Sequence, residues 1–158
     1  IRRKMRRAAE SETPVRFELV SDAATLEDGI ASFLDLMSHD TNKADFLKPA
    51  LRDHVAALIR TAFKHGYLWL AFLSIGGIRA AAALNFDYKN KLWGYTSGVS
   101  RDSMALSPGW VLLTHEIEWA CEHGRYEFDF MRGDEEYKYR FGGVNKYVMR
   151  VIAAPPPS

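Results

Sequence analysis

Two adjacent glycines, Gly76-Gly77, lie between two strand-length apolar runs, and they constrain the fold of this chain more than any other feature. The flanking runs cover residues 67–73 and 78–86. Glycine tolerates the positive φ angles that a two-residue hairpin turn demands, so the pair predicts a tight antiparallel hairpin. A looser turn at 87–91 leads into a third run, 92–99. Three meandering strands are therefore expected in a row. The middle one holds Ala80, Ala81, Ala82 and Ala83. Alanine is a poor strand former, so something large is expected to pack closely against it.

Helical signals flank this meander. Residues 15–20 alternate like a short strand. Ser21 or Asp22 can then cap a helix with Leu26, Ile30, Phe33, Leu34 and Met37 on one face. A second helix starts near Pro49, with Leu51, Val55, Leu58, Ile59 and Ala62 as its stripe. Ser107-Pro108-Gly109 opens a third, with Trp110, Leu113, Ile117, Ala120 and Cys121 expected inward and Gly124 closing it. Strands follow at 125–131 and 144–152, separated by a charged segment. The order β-α-α-β-β-β-α-β-(short helix or loop)-β gives a mixed α/β (α+β) layer structure, with about six strands and three to four helices.

At 158 residues, 47% hydrophobic and 26% charged, the chain has the makeup of one globular domain. A net charge of +1 makes nucleic acid an unlikely general partner, and no apolar run approaches a membrane span. The single Cys121 excludes an internal disulfide, reads as a core residue rather than a nucleophile, and fits a reducing cytoplasm. The five histidines lack metal-ligand spacing, and no P-loop, GxGxxG or GxSxG occurs. Residues 1–14 begin at Ile1 and carry Arg2, Arg3, Lys4, Arg6 and Arg7. They read as a solvated helix or linker from an upstream domain, with RNA or anionic lipid as the alternative reading. Residues 153–158 read as a Pro-rich exit tail.

The segment 126–143, YEFDFMRGDEEYKYRFGG, concentrates charged and aromatic groups after a strand, where rigid scaffolds hold binding and catalytic groups. Ser107-Pro108-Gly109-Trp110, then Glu116 and Glu118, then Phe128-Asp129-Phe130, then Arg132-Gly133-Asp134-Glu135 with Tyr137 and Lys138, together resemble the CelD-like group of GNAT-fold acetyltransferases, relatives of the Fem-type aminoacyl transferases. The resemblance spans residues 15–152. It implies a GNAT fold and the C-terminal half of a two-domain protein. It also implies transfer of an acyl group, usually acetyl, from acyl-CoA to the amine of a small polar or sugar-like acceptor.

The helix beginning at Ser107 suits a pyrophosphate by its unpaired N–H groups and positive dipole end, with Gly109 allowing close approach and Arg101 adding charge. Trp110 belongs to the same motif. Where the usual phosphate loop has glycines, this chain has Met104 and Leu106. The resemblance implies Tyr137 as the acid for the departing thiolate, and a core anchor is the competing role. For a base, Asp129 and Asp134 come first and Glu135 third. Asp129 lies between Phe128 and Phe130 and could equally belong to an ion pair with Arg132 or Lys138. Arg132, Lys138 and Arg140 suit an anionic group or neutralise neighbouring acids. Glu135 and, by resemblance, Tyr95 and Ser97 line the acceptor side. His115 is expected to face solvent. Two alternatives stay open: a non-catalytic GNAT-like half that binds the acceptor or scaffolds a partner domain, and a Fem-type transferase using aminoacyl-tRNA.

Overall fold

The computed structural model describes residues 1–39 and 48–152. The Pro-rich tail expected at 153–158 lies outside the described residues. Five strands, β1 (Val15–Leu19), β2 (Leu68–Ile75), β3 (Ile78–Tyr88), β4 (Lys91–Val99) and β5 (Glu127–Asp129), form one sheet in chain order. The first four are antiparallel, and β5 joins β4 in parallel. A parallel neighbour requires a crossover, and α4 (Pro108–Glu122) supplies it after a 3-10 segment, Arg101–Leu106. The remaining helices are α1 (Arg2–Ala9), α2 (Ala23–Ser38), α3 (Pro49–Lys64) and the short α5 (Glu136–Arg140).

The hairpin signal is realised as expected. Gly76 and Gly77 both take positive φ, and Ile75 pairs with Ile78 across them. The turn at 87–91 is tight rather than loose: Lys89 and Asn90 both take positive φ between the paired Tyr88 and Lys91. Asparagine tolerates this region better than most residues, so one strained position falls on Lys89.

The four alanines of β3 are almost wholly buried, because helices cover both faces of the sheet there. Ala82 packs with Phe33, Ile59, Leu70 and Phe72 under α2 and α3. Ala81 and Ala83 pack with Trp69, Leu92, Val111 and Leu112 under α4. Each large apolar side chain sealed this way contributes roughly 1.5–3 kcal/mol. The α2 stripe Leu26, Ile30, Phe33, Leu34 and Met37 is entirely buried, and Asp22 caps the helix by accepting from the Ala24 N–H at 2.9 Å. Gly98 of β4 lets the α2 backbone come very close: a Cβ there would lie 2.8 Å from the Leu36 carbonyl carbon.

Four expectations need correction. Cys121 is exposed, because α4 turns Val111, Leu112, Glu116 and Ala120 inward instead of the Trp110/Leu113/Ile117 line. The strand expected over 125–131 shrinks to three residues: Met131 takes a positive φ and its N–H bonds Asp129 Oδ1 at 2.7 Å, turning the chain away. No strand forms at 144–152, where Val144, Tyr147, Val148, Met149, Val151 and Ile152 are exposed; so short a β5 offers little ladder to pair with. His115 is half-buried against Phe17, with ring centroids 5.2 Å apart.

The basic N-terminal segment does form a helix, and one side of it is not solvated. Ala8 of α1 is buried and Met5 packs on the α4 side of the core. Arg7 donates to the Ala105 carbonyl at 3.1 Å, so α1 is fastened to the approach to α4.

Because the space beside Gly98 is backbone rather than a flexible side chain, Gly98→Ala is expected to destabilise the fold by about 1–3 kcal/mol. Chemical denaturation measures this, and an unchanged midpoint would show that α2 does not hold β4 at this point.

Candidate functional site

The strands β4 and β5 begin side by side and then part. Pairing covers Lys91–Glu127, Leu92–Phe128 and Trp93–Asp129, and ends there. At this place β4 carries a bulge: Leu84 pairs with Thr96 and Asn85 with Gly94, so Tyr95 is the extra residue. A bulge bends and twists its strand, which carries the rest of β4 away from its neighbour. The stretch from Gly94 to Val99 thus keeps β3 on one side and, among the described residues, pairs with no strand on the other.

The gap is a cavity of about 600 Å³. Gly94, Tyr95, Thr96, Ser97 and Val99 form the β4 wall, and Phe128, Phe130, Arg132, Glu135, Tyr137 and Lys138 form the opposite one. Ala81, Ala82 and Asn85 of β3 line it with Leu112, Leu113 and Glu116 of α4, and so do Ser107–Trp110, where α4 starts. Phe128, Phe130 and Tyr137 make successive edge-to-face contacts, with centroids 4.9 and 6.3 Å apart, so the far wall is aromatic.

At the start of α4, Ser107 is the residue before the first turn, but its side chain caps nothing. Its backbone is left-handed (φ 53°, ψ 53°), and its Oγ accepts from Lys4 Nζ at 2.7 Å. The helix N–H groups there have no side-chain cap. Lys4 also lies 5.3 Å from the centre of the Trp110 ring, Arg140 lies 5.9 Å from it, and Phe141 stacks on it at 5.4 Å. Cationic groups from α1 and α5 therefore gather at a positive helix terminus. That charge fits a phosphate-bearing donor, and Gly109, where a Cβ would lie 3.1 Å from Val99 Cγ2, lets α4 start close against β4. Beyond its pairing with β5, β4 runs towards this helix start, and Val99 packs beside Gly109.

On the opposite wall Lys138 is buried, and its three N–H bonds are all taken. It donates to the carbonyls of Arg132 (2.9 Å) and Gly133 (3.2 Å) and pairs with Glu135 Oε2 at 2.7 Å. It clamps the 132–135 loop and holds the Glu135 carboxyl below its ordinary range, chiefly through their hydrogen bond. Tyr137 keeps 40% of its surface open, yet burial, with smaller contributions from the Glu135 and Glu116 charges, raises its hydroxyl above the ordinary tyrosine value. A phenol held protonated in this way can give up a proton but does not serve as a base at neutral pH.

Tyr95, Ser107, Gly109, Trp110, Arg132, Glu135, Tyr137 and Lys138 thus share one cavity. Three other candidates do not reach its wall. Asp129 lies on the far side of β5 with its Oδ1 bound to the Met131 N–H, and Lys138 pairs with Glu135 instead of with it. Asp134 is exposed in the loop, and Arg101 is exposed at the start of the 3-10 segment. The carboxyl that does face the cavity, besides Glu135, is Glu116. It is 5% exposed and accepts from Asn85 Nδ2 at 2.7 Å through Oε2. Burial pushes it up to about 7, against a smaller lowering by Asn85. A glutamate breaking the apolar face of a helix was the available signal in the sequence.

The family model described as "Acetyltransferase (GNAT) domain" matches residues 1–139, and the chain belongs to that family. It is a GNAT-type acyltransferase, and α1 lies inside the matched region. No curated protein sequence matches the chain.

Solved structures share the fold at low identity. An aminoglycoside acetyltransferase from an uncultured soil metagenomic sample, in complex with sisomicin, has a TM-score of 0.59 at 12% identity, covering 89% of this chain and 97% of that one. A predicted acetyltransferase with acetyl-CoA from Clostridium acetobutylicum gives 0.59 at 10%, covering 89% and 96%. An aminoglycoside N-acetyltransferase in complex with CoA gives 0.53 at 10%, covering 94% and 99%.

The raised Glu116 carboxyl has a sign that can be checked. Its folded pKa of about 7 exceeds the ordinary 4.5, so its contribution to stability is fully present below about pH 4.5. That contribution is lost as pH rises towards 7 and stays lost above it. Denaturation of the wild type against Glu116→Gln across this range should show an extra loss on the order of 3 kcal/mol in the wild type. Parallel curves would mean that Glu116 is ionised in an environment like water.

Proposed function

We propose that the chain moves an acyl group, acetyl in the simplest case, from acyl-CoA to a primary amine of a small polar or sugar-like acceptor, within the cavity where β4 and β5 part. The carrying observation is the cavity that opens where β4 and β5 stop pairing after Trp93, bounded by the uncapped start of α4 and by Tyr137. Ser107, Gly109, Trp110 and Lys4 hold the donor's phosphate end in this reading, with Arg101 contributing charge from the loop. Bound there, the thioester supplies an activated acyl carbonyl. Tyr95, Arg132 and Glu135 bound the acceptor side. Lys138 serves by fixing the loop that carries Arg132 and Glu135.

Tyr137 has the chemistry of the proton donor to a departing thiolate: it is protonated at neutral pH, partly desolvated and on the cavity wall. The set Ser107-Pro108-Gly109-Trp110 with Arg132-Gly133-Asp134-Glu135 supports placement in the CelD-like group. Similarity to folds solved with sisomicin and with CoA supports an amino-sugar-like acceptor and a CoA donor.

The test is release of free CoA thiol from acetyl-CoA on a panel of amino sugars, sisomicin included. Tyr137→Phe should lower the rate by about 10²–10⁴-fold with little change in melting temperature. A variant as active as the wild type but much less stable would make Tyr137 a packing anchor.

A further inference from the structure

We propose that Glu116, oriented by Asn85, is the proton acceptor that turns the acceptor's ammonium into a nucleophilic amine. The inference rests on the N-acyltransferase reading and adds to it the residue that performs this step.

The geometry singles Glu116 out. Asp129 is committed to the Met131 N–H outside the cavity, and Asp134 lies on the surface. Glu135 lines the cavity but is an anion fixed by Lys138. Glu116 lines the same cavity, receives one hydrogen bond, from Asn85 to Oε2, and has no ion-pair partner among the described residues. Among the described residues no hydrogen bond reaches its Oε1. The charged groups facing the cavity from neighbouring elements do not neutralise it. Lys4 of α1 is bonded to Ser107, Lys138 of α5 is saturated, and Arg132 lies on the opposite wall. The titratable group coupled to it electrostatically is the Tyr137 hydroxyl.

A buried carboxyl without a cation weakens the fold in its charged form, so packing gives no reason for it at this position. Asn85 is itself 2% exposed and sits on β3 opposite the bulge, where its pairing partner is Gly94. The irregularity that opens the cavity therefore also places the residue that orients the acid. Ionisation near neutral pH suits a group that must accept a proton and release it again.

The protons balance as follows. Glu116 takes one proton from the acceptor's ammonium. The freed nitrogen lone pair forms the N–C bond to the acyl carbon, and the C–S bond breaks. Tyr137 gives its phenolic proton to sulfur and recovers one from the nitrogen, leaving a neutral amide. Glu116 then loses its proton to solvent, so the transfer releases one proton.

The experiment uses the full chain with two probe amines: glucosamine, an ammonium at neutral pH, and hydroxylamine, which is already uncharged there. Glu116→Gln should lower acetyl transfer to glucosamine by about 10²–10⁴-fold and leave transfer to hydroxylamine within a few-fold of wild type. The acidic limb of the wild-type pH–rate profile with glucosamine should vanish in the variant. Independently of turnover, carboxyl-carbon NMR of ¹³C-labelled Glu116 should show titration near neutral pH, and Asn85→Ala should move that midpoint upward by removing the donor that favours the anion.

Equal loss with both amines, or loss with neither, would overturn the assignment while leaving the N-acyltransferase reading intact. Titration in the ordinary carboxylate range would overturn it too. A folded wild type that acetylates neither amine would remove the functional reading, and this assignment with it.

Discussion

The site depends on one constraint: β4 cannot follow β5 beyond Trp93. Tyr95 is an extra residue in the β3–β4 ladder, and a Cβ on Gly94 would stand 3.3 Å from the Phe128 ring. On the other side, the Asp129 side chain and the positive φ of Met131 turn the β5 strand out of the sheet after three residues. Each strand leaves the pairing for its own local reason, and the space between them is the cavity. Arg125 holds the start of β5 in place through a two-pronged bond to Asp87, with both distances 2.6 Å. The parting thus begins from a fixed point.

Two buried ionisable groups face this space and are treated in opposite ways. Lys138 is fully satisfied by two carbonyls and a carboxylate, so its charge becomes mechanical support for the loop carrying Arg132 and Glu135. Glu116 receives one hydrogen bond, from the Asn85 amide, and no cation among the described residues, so burial raises its pKa to about 7. The positive charge at the cavity's other end comes from outside the crossover. Lys4 arrives from α1 and Arg140 from α5, and both reach the Trp110 ring where the helix dipole is positive.

Local rules wrote much of this fold into the sequence. The Gly76-Gly77 hairpin, the Asp22 cap and the α2 stripe each depend on neighbours within a few residues, and each is realised. The crossover helix misleads because it is apolar on two sides: Trp110, Leu113 and Ile117 make as good a stripe as Val111, Leu112 and Ala120. The first line carries Cys121 inward and leaves Glu116 off the apolar face, whereas the second buries Glu116. The 144–152 run has strand composition, but a strand needs a partner, and the extent of β5 is set by the turn at Met131. The cluster Tyr137, Glu135 and Lys138 stands out in the sequence by its density of charge and aromatic rings, and the three residues share one cavity. Its internal roles were not legible, since they depend on which groups Lys138 reaches in three dimensions.

The central claim is that the donor lies in the cavity where β4 and β5 part, against the start of α4. Backbone amide NMR during titration with acetyl-CoA tests it most directly. The account predicts saturable shifts confined to residues 94–99, 107–110 and the facing Tyr137 segment, with little change on α2 and α3. Saturable shifts centred elsewhere, or none in a folded sample, would contradict it.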